Sequence, residues 1–375
     1  MNIAIDIRTI NKPRSGVGYY VTNLIQNLQE IDKNNHYCLI SNNGEYENTF
    51  RSQSNFESHK TWVSNENHLI GDIWENVSLP LLLRKKGVNV FHGPAFMIPL
   101  LKGHVGTVVT IHDIVSFRMP HTIPTKYALY MQLLIRTVTK RAEMVITVSE
   151  FNKRELVELL NVPEKKIKVV HHGVSPQFKP AVSGIDKGAL KSRFGINNRY
   201  MLFVSNLEPR KNLVRLMQAY DKVRETLNGE YQLVICGKKG WLYKDILKTY
   251  EQLKGEGNII ITNYVNEADL LTLYQNADMF VFPTLYEGFG LPVLEAMACG
   301  APVITSNVSS LPEIAGDAAE LIDPLSVEAI SGAMLKLAGS ADLRRSMREN
   351  GLRQAAKFSW KETARRTLEV YNSLS

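Results

Sequence analysis

The sequence predicts an α/β protein with two doubly wound parallel sheets. Short β-branched runs alternate with helical patterns from one end to the other. The alternation breaks and restarts near Pro180. A chain of 375 residues is also too long for one ordinary core and suits two domains.

In the first half the strand candidates are Ile3–Ile7, Tyr37–Ile40, Val88–Phe91, Val105–Ile111, Met144–Val148 and Ile167–Val170. Between the first two, Val17, Val21, Leu24, Leu28 and Ile31 recur at helical spacing. After His171-His172-Gly173, the residues Pro176, Pro180, Ser183 and Gly184 interrupt any period, as a linker would. The second half restarts with Tyr200–Ser205, Leu233–Cys236, Ile259–Thr262, Met279–Phe282 and Val303–Thr305. A last helix is expected from Trp360 to about Ser373, N-capped by Ser359. Residues 1–178 and 179–358 thus form two Rossmann-like domains, followed by a terminal helix over 359–375. In such sheets ligands bind at the carboxyl ends of the strands, so facing ends would place a site in the cleft between domains.

Hydrophobic residues at 44% and charged residues at 22% exclude a disordered chain. The net charge of +7 suits anionic partners: nucleotides, an acidic lipid surface or nucleic acid. The basic residues are dispersed and no nucleic-acid motif accompanies them, which argues against nucleic acid. The segment Lys126 to Arg141 places Tyr127, Leu129, Tyr130, Leu133 and Leu134 near Lys126, Arg136, Lys140 and Arg141. That is either a basic amphipathic helix lying on a membrane or a packed helix with a solvated face. Cys38, Cys236 and Cys299 are scattered and form neither a disulfide framework nor a metal-ligand set, which predicts a reducing, cytoplasmic setting. No export signal and no run of about 18 apolar residues is found.

Four strand-to-helix junctions carry chemistry. At Arg14-Ser15-Gly16-Val17-Gly18, Gly16 and Gly18 let backbone N–H groups approach an anion, although packing alone also accounts for such a start. A third glycine is missing where Val21 stands, and strand two ends in no acid, so a nicotinamide cofactor is not indicated. At Thr110-Ile111-His112-Asp113, His112 could bond a sugar hydroxyl, or be an ordinary loop histidine. In Asn206-Leu207-Glu208-Pro209-Arg210-Lys211, two cations lie at a helix start where acids are the rule; an anion such as a diphosphate explains them, a solvated basic pair being the alternative.

The fourth junction, Pro283 to Ala296, passes from a buried strand through Gly288-Phe289-Gly290 into a helix with Pro292 near its first position. The N–H groups of Phe289, Gly290 and Leu291 would present a positive helix start. Glu287 and Glu295 flank it. Carboxylates beside a phosphate site suit a ligand with hydroxyls next to phosphates, a sugar nucleotide. Glu295 could merely complement the helix dipole, whereas Glu287 has no structural partner in the sequence.

Glu287 and Glu295, with seven residues between them, resemble the E-x7-E signature of the retaining family-4 glycosyltransferases of GT-B fold. Met1 to Tyr20, Thr110 to Phe117, Val148 to Phe151, His172 to Val174, Leu207 to Asn212 and Phe358 to Trp360 resemble further blocks of that family, closest to its bacterial polysaccharide mannosyl- and glucosyltransferase branch. The resemblance implies that Arg210 and Lys211 bind the donor diphosphate and Glu295 the ribose. It implies that Glu287 and His112 touch the donor sugar, and that Gly16 and Gly18 lie at phosphates and acceptor. It further implies an acceptor side in residues 1–178, a nucleotide-sugar donor side in 179–358 and a terminal helix over 359–375 that crosses back to the first domain. Many members carry an arginine near Asn206; Arg210 is the substitute expected here. Base readout is expected around Asn263-Tyr264-Val265.

The function so implied is retaining transfer of a hexose from a GDP-mannose- or UDP-glucose-type donor to a saccharide or lipid-linked saccharide in polysaccharide biosynthesis. No cofactor and no metal is expected, because Arg210, Lys211 and the helix start at Gly290 can stabilise the leaving diphosphate. A GT-B-fold phosphorylase or epimerase, or a non-catalytic sugar-nucleotide-binding subunit, are the alternatives.

Overall fold

A computed structural model describes residues 1–10, 16–42, 50, 53–63, 68–181, 187–255 and 258–374. Arg14, Ser15, Ser183 and Gly184 lie outside the described residues. The chain divides into two compact units. The first comprises Met1–Ile114, Leu129–Gly173 and Ser359–Ser375, the second Val115–Ala128 and Val174–Phe358.

The first unit contains β1 (Asn2–Asp6), β2 (His36–Ser41), β3 (Phe56–Lys60), β4 (Val90–Gly93), β5 (Gly106–Ile111), β6 (Met144–Thr147) and β7 (Ile167–Val169). All pairings are parallel and the order is β3-β2-β1-β4-β5-β6-β7. Helices α1 (Gly16–Ile31), α2 (His68–Lys85), α3 (Val115–Arg118), α4 (Thr125–Arg141) and α5 (Glu150–Leu160) follow in chain order; α3 and the first turn of α4 belong to the second unit.

The second unit continues with α6 (Lys187–Phe194), β8 (Arg199–Val204), α7 (Leu213–Val223), β9 (Tyr231–Cys236), α8 (Lys244–Leu253), β10 (Ile259–Asn263) and α9 (Glu267–Asn276). It closes with β11 (Met279–Phe282), α10 (Leu291–Ala298), β12 (Val303–Ser306), α11 (Leu311–Ala315), β13 (Ala319–Ile322), α12 (Val327–Ala338) and α13 (Ala341–Ala355). Its parallel sheet has the order β10-β9-β8-β11-β12-β13. The inner strands are buried on both faces, Tyr200 to Phe203 and Met279 to Phe282 all being core residues. That double burial is why they read as continuous apolar runs.

The terminal helix α14 (Trp360–Asn372) packs against α1 in the first unit. Ser359 caps it, its hydroxyl accepting the Glu362 N–H at 3.2 Å. Gly173 permits the approach of this helix: a Cβ there would lie 2.1 Å from the Trp360 nitrogen.

Two strands have no counterpart in the sequence reading, β3 and β13. Each forms an outer edge of its sheet. An edge strand is covered on fewer sides, so Phe56-Glu57-Ser58-His59-Lys60 carries charge where an inner strand carries valine and isoleucine.

Candidate active site

In the second unit the order of strands reverses between β8 and β11. Their carboxyl ends part there, and such a switch point is where open α/β sheets bind ligands. The segment leaving β8 carries Asn206, Glu208, Arg210 and Lys211; the segment leaving β11 carries Thr284, Glu287 and Gly290.

The two segments are joined by charge. Lys211 Nζ pairs with Glu287 Oε1, with the side chains only 6% and 10% exposed. Arg210 Nη1 lies 3.3 Å from Glu287 Oε2 and donates to the Tyr286 carbonyl at 3.1 Å. Arg210 Nε lies 3.3 Å from Glu208 Oε2. Thr284 donates its hydroxyl to Glu287 Oε1 at 3.1 Å, and the Glu287 N–H donates to Ser309 Oγ at 3.1 Å. Burial alone would raise the Glu287 pKa, but Lys211 and Arg210 hold it below the usual carboxylate range. Burial and Arg210 press Lys211 downward against the pull of Glu287. With two cations facing it, Glu287 is the anion of the pair.

The structure departs from the sequence expectation at two points. Glu287 does have a structural partner; it is the counterion of both cations. The cations also precede α7: they occupy a 3-10 turn, Pro209–Lys211, ended by Asn212 at φ 62°. Asn212 locks this turn, donating to the carbonyls of Pro283 at 2.9 Å and Pro324 at 2.7 Å. Arg210 and Lys211 against Glu208 and Glu287 leave the cluster formally neutral, two charges of each sign.

Phe289, Gly290 and Leu291 stand at the start of α10, where Gly290 caps the helix at φ 115° and Pro292 lies in the first turn. A side chain at Gly290 would be strained by that φ and would come within 2.8 Å of Leu311. Ser310 donates to the carbonyls of Glu287 at 3.0 Å and Phe289 at 2.7 Å, fixing the loop. Glu295, a turn into the helix, accepts from the Tyr274 hydroxyl at 3.0 Å. It keeps some solvent contact but is densely surrounded, and burial pushes its carboxyl up to about 7, Glu267 adding to the rise. Val265, half-buried, lies in the turn between β10 and α9. Asn206 Nδ2 reaches Glu208 Oε1 at 3.4 Å.

In the first unit, His112 follows β5. Its Nε2 lies 2.8 Å from the Pro94 carbonyl oxygen. A carbonyl can only accept, so Nε2 carries the proton. Burial lowers the pKa of the ring and keeps it neutral, which leaves Nδ1 as an acceptor. The ring is held by Tyr20 at 4.9 Å, His172 at 5.5 Å and Phe96 at 5.7 Å. Tyr20 projects from α1, whose first turn contains Gly16 and Gly18, so this helix start and His112 are neighbours through one ring. Among the described residues nothing lies within 4 Å of the position a Cβ at Gly16 would take.

The sequence reading missed several residues: Tyr274 beneath Glu295, Asn212, Ser309 and Ser310 around the loop, and Arg8. Fully buried, Arg8 bonds Asp6 at 2.7 Å and Glu75 at 2.5 Å and ties the end of β1 to α2. An Asp-x-Arg triplet just after a strand was the available signal.

Among solved structures, sucrose-phosphate synthase from Thermosynechococcus elongatus aligns with a TM-score of 0.79 at 17% identity, over 100% of this chain and 99% of that one. Anabaena Alr3699/HepE in complex with UDP-glucose aligns with a TM-score of 0.77 at 15% identity, over 100% of each chain. At such identities the likeness concerns the fold, two doubly wound parallel sheets in one chain, which is the GT-B architecture of glycosyltransferases. Residues 14–178 match the family described as Glycosyltransferase Family 4, and residues 187–354 that described as Glycosyl transferases group 1. O-antigen chain mannosyltransferase B of Escherichia coli is 35% identical over 285 residues, 76% of this chain and 74% of that protein. Serotype-specific mannosyltransferase WbdA of Escherichia coli is 30% identical over 72% of this chain, but the match spans only 33% of that longer protein. The chain belongs to the family-4 glycosyltransferases and is a hexosyltransferase.

Proposed function

We propose that the chain transfers a hexose, with retention of configuration, from a GDP-mannose- or UDP-glucose-type donor to a saccharide or lipid-linked saccharide. The mannosyltransferase relatives favour mannose. The observation that carries this reading is the buried cluster of Arg210, Lys211 and Glu287 at the switch point of the second sheet. Two cations there suit a diphosphate, and the carboxylate between them suits the hydroxyls of the attached sugar. Glu295 then takes the ribose hydroxyls, Phe289, Gly290 and Leu291 offer backbone at the phosphates, and Val265 lies by the base. Gly16 and Gly18 open α1 toward phosphate or acceptor, and Asn206 steadies Glu208 beside Arg210. His112 presents an acceptor nitrogen to a sugar hydroxyl.

In the reaction the bond from the anomeric carbon to the diphosphate oxygen breaks and an acceptor hydroxyl oxygen bonds to that carbon from the same face. The hydroxyl proton passes to the departing diphosphate. Arg210 and Lys211 stabilise the growing charge in place of a metal ion. The site is proposed to work in the cytoplasm, where the free, buried thiols of Cys38, Cys236 and Cys299 persist. Among the described residues no helix is long and apolar enough to cross a membrane. The exposed Leu129 and Leu133 of α4, with Lys126, Arg136, Lys140 and Arg141, would hold the protein peripherally on the inner face.

The test is transfer from GDP-mannose and UDP-glucose by the purified protein with EDTA present, alongside Glu287→Gln. An α-linked product insensitive to EDTA is expected. The variant should keep nucleoside diphosphate affinity while turnover falls about a hundredfold or more, the usual cost of losing a group that stabilises the transition state. An inverted product, a metal requirement, or full turnover by the variant would each refute the corresponding part.

A further inference from the structure

The rings around His112 differ in exposure. Tyr20 is fully buried and His172 is 5% exposed, whereas Phe96 is only half-buried and keeps part of its ring in solvent. It stands 5.7 Å from the imidazole, inclined to it by 68°. Phe96 follows the carboxyl end of β4, and β4 pairs with β1 where the strand order of the first sheet reverses. In open parallel sheets the crevice at that point is where ligands bind. An accessible aromatic side chain therefore stands beside His112 at the switch point of the first unit.

The backbone holds this ring at a cost. Phe96 adopts φ 65°, a left-handed conformation that strains a bulky residue and that glycine or asparagine takes more easily. Its surroundings impose the conformation. The Phe96 N–H donates to the Thr110 carbonyl at 3.2 Å, and two residues earlier the Pro94 carbonyl accepts from His112 Nε2 at 2.8 Å. Gly93 lets the chain double back so tightly that a Cβ there would lie 1.6 Å from the Met97 carbonyl oxygen. The turn after β4 is thus clamped onto the end of β5. For stability alone, glycine or asparagine at position 96 would serve this turn better. Strain of this kind gathers at sites that hold ligands, and here it fixes an aromatic ring in one place.

We propose that Phe96 is the ring against which the acceptor sugar packs, beside His112. A pyranose has an apolar C–H face that lies on an aromatic ring and a rim of hydroxyls that need polar partners. Phe96 supplies the first, and the neutral His112, with Nδ1 left as an acceptor, supplies one of the second. A phosphate would gain nothing from Phe96, which has no hydrogen-bond donor on its side chain. The inference rests on the transferase reading above, and it gives the acceptor a named contact in the first unit, where the resemblance places the acceptor side.

Three variants test it. Phe96→Leu keeps apolar bulk without the ring, Phe96→Gly removes the ring and takes φ 65° freely, so that folding is least at risk, and Phe96→Tyr keeps the ring. Each is compared with wild type in UDP and GDP binding by calorimetry, in transfer to mannotriose and maltotriose, and in saturation-transfer NMR of the trisaccharides. The acceptor KM should rise about tenfold or more with leucine and glycine, the loss of one packed ring's affinity, with tyrosine in between. Saturation transfer to the sugar C–H protons should fall in the first two variants and return with tyrosine, while nucleoside diphosphate affinity stays as in wild type. A fall in kcat with acceptor KM unmoved makes Phe96 a positioning residue for His112 and overturns the proposal. An equal loss of nucleoside diphosphate affinity assigns the ring to the donor and overturns it too. So does a folded glycine variant whose acceptor KM matches wild type. Wild type that binds UDP or GDP yet neither binds nor extends either trisaccharide overturns the acceptor contact and spares the transferase reading. Wild type that binds neither nucleotide instead refutes the transferase reading itself.

Discussion

Glu287 and Glu295 lie on one loop and helix, yet their surroundings drive them apart. Glu287 meets two cations and is held below the usual range; Glu295 meets the Tyr274 phenol, and burial, with Glu267 adding, pushes it up to about 7. Removing Lys211 would leave Glu287 buried beside a weaker partner, so a neutral variant there tests folding as much as ligand binding. Glu295 gives a cleaner experiment. Its raised pKa means that the folded chain binds a proton more tightly than the unfolded chain, whose value is near 4.5. Its contribution is therefore most favourable below that value and is lost as pH rises toward 7. Glu295→Gln, always neutral, should gain stability relative to wild type between pH 5 and pH 8, read as a growing difference in unfolding midpoint. A difference that stays constant across that range would show that Glu295 is already ionised in the folded protein. The two carboxylates were legible in the sequence through their spacing. What held them was not, because Tyr274 reaches Glu295 from α9, and Lys211 and Arg210 reach Glu287 from the turn after β8.

Elements were legible where burial is complete on both faces. Inner strands such as β8 and β11 announce themselves by apolar runs, and Ser359 announces α14 as its cap. The edges β3 and β13 carry no such run and were missed. A second hidden feature links elements across the first unit. Tyr371 of α14 contacts His92 Nδ1 at 2.7 Å, His92 Nε2 contacts Thr110 at 2.8 Å, and Thr110 contacts Tyr20 of α1 at 3.2 Å. Burial drives the His92 pKa down to about 3, so the ring stays neutral and one nitrogen must donate while the other accepts. Every member of the chain then fixes the next. Tyr371→Phe leaves a buried imidazole nitrogen without a partner and should cost about 1–3 kcal/mol of stability. Denaturant unfolding of the variant should show that loss; an unchanged midpoint would mean that α14 is held by its apolar face alone.

For the whole molecule the remaining question is where it works. The crossovers β3-α2-β4 and β5-α4-β6 run in the same direction across the first sheet, and right-handed crossovers put both helices on one face of it. On α2, Ile73, Val77 and Leu81 are 58%, 58% and 66% exposed at four-residue spacing; on α4, Leu129 and Leu133 are 61% and 69% exposed. Arg84 and Lys85 end the one helix, and Lys140 and Arg141 the other. Exposed apolar side chains on helices that end in basic residues fit an anionic bilayer surface, and the net charge of +7 supports the attraction. Wild type should therefore sediment with vesicles containing phosphatidylglycerol and not with phosphatidylcholine alone, and salt should weaken the binding, since screening shortens the reach of surface charge. Leu129→Glu with Leu133→Glu should abolish sedimentation, because two carboxylates would enter the interface, while transfer to a soluble acceptor continues. If wild type ignores both kinds of vesicle, or the double variant sediments as before, these helices are solvated faces and the protein meets its acceptor away from the membrane.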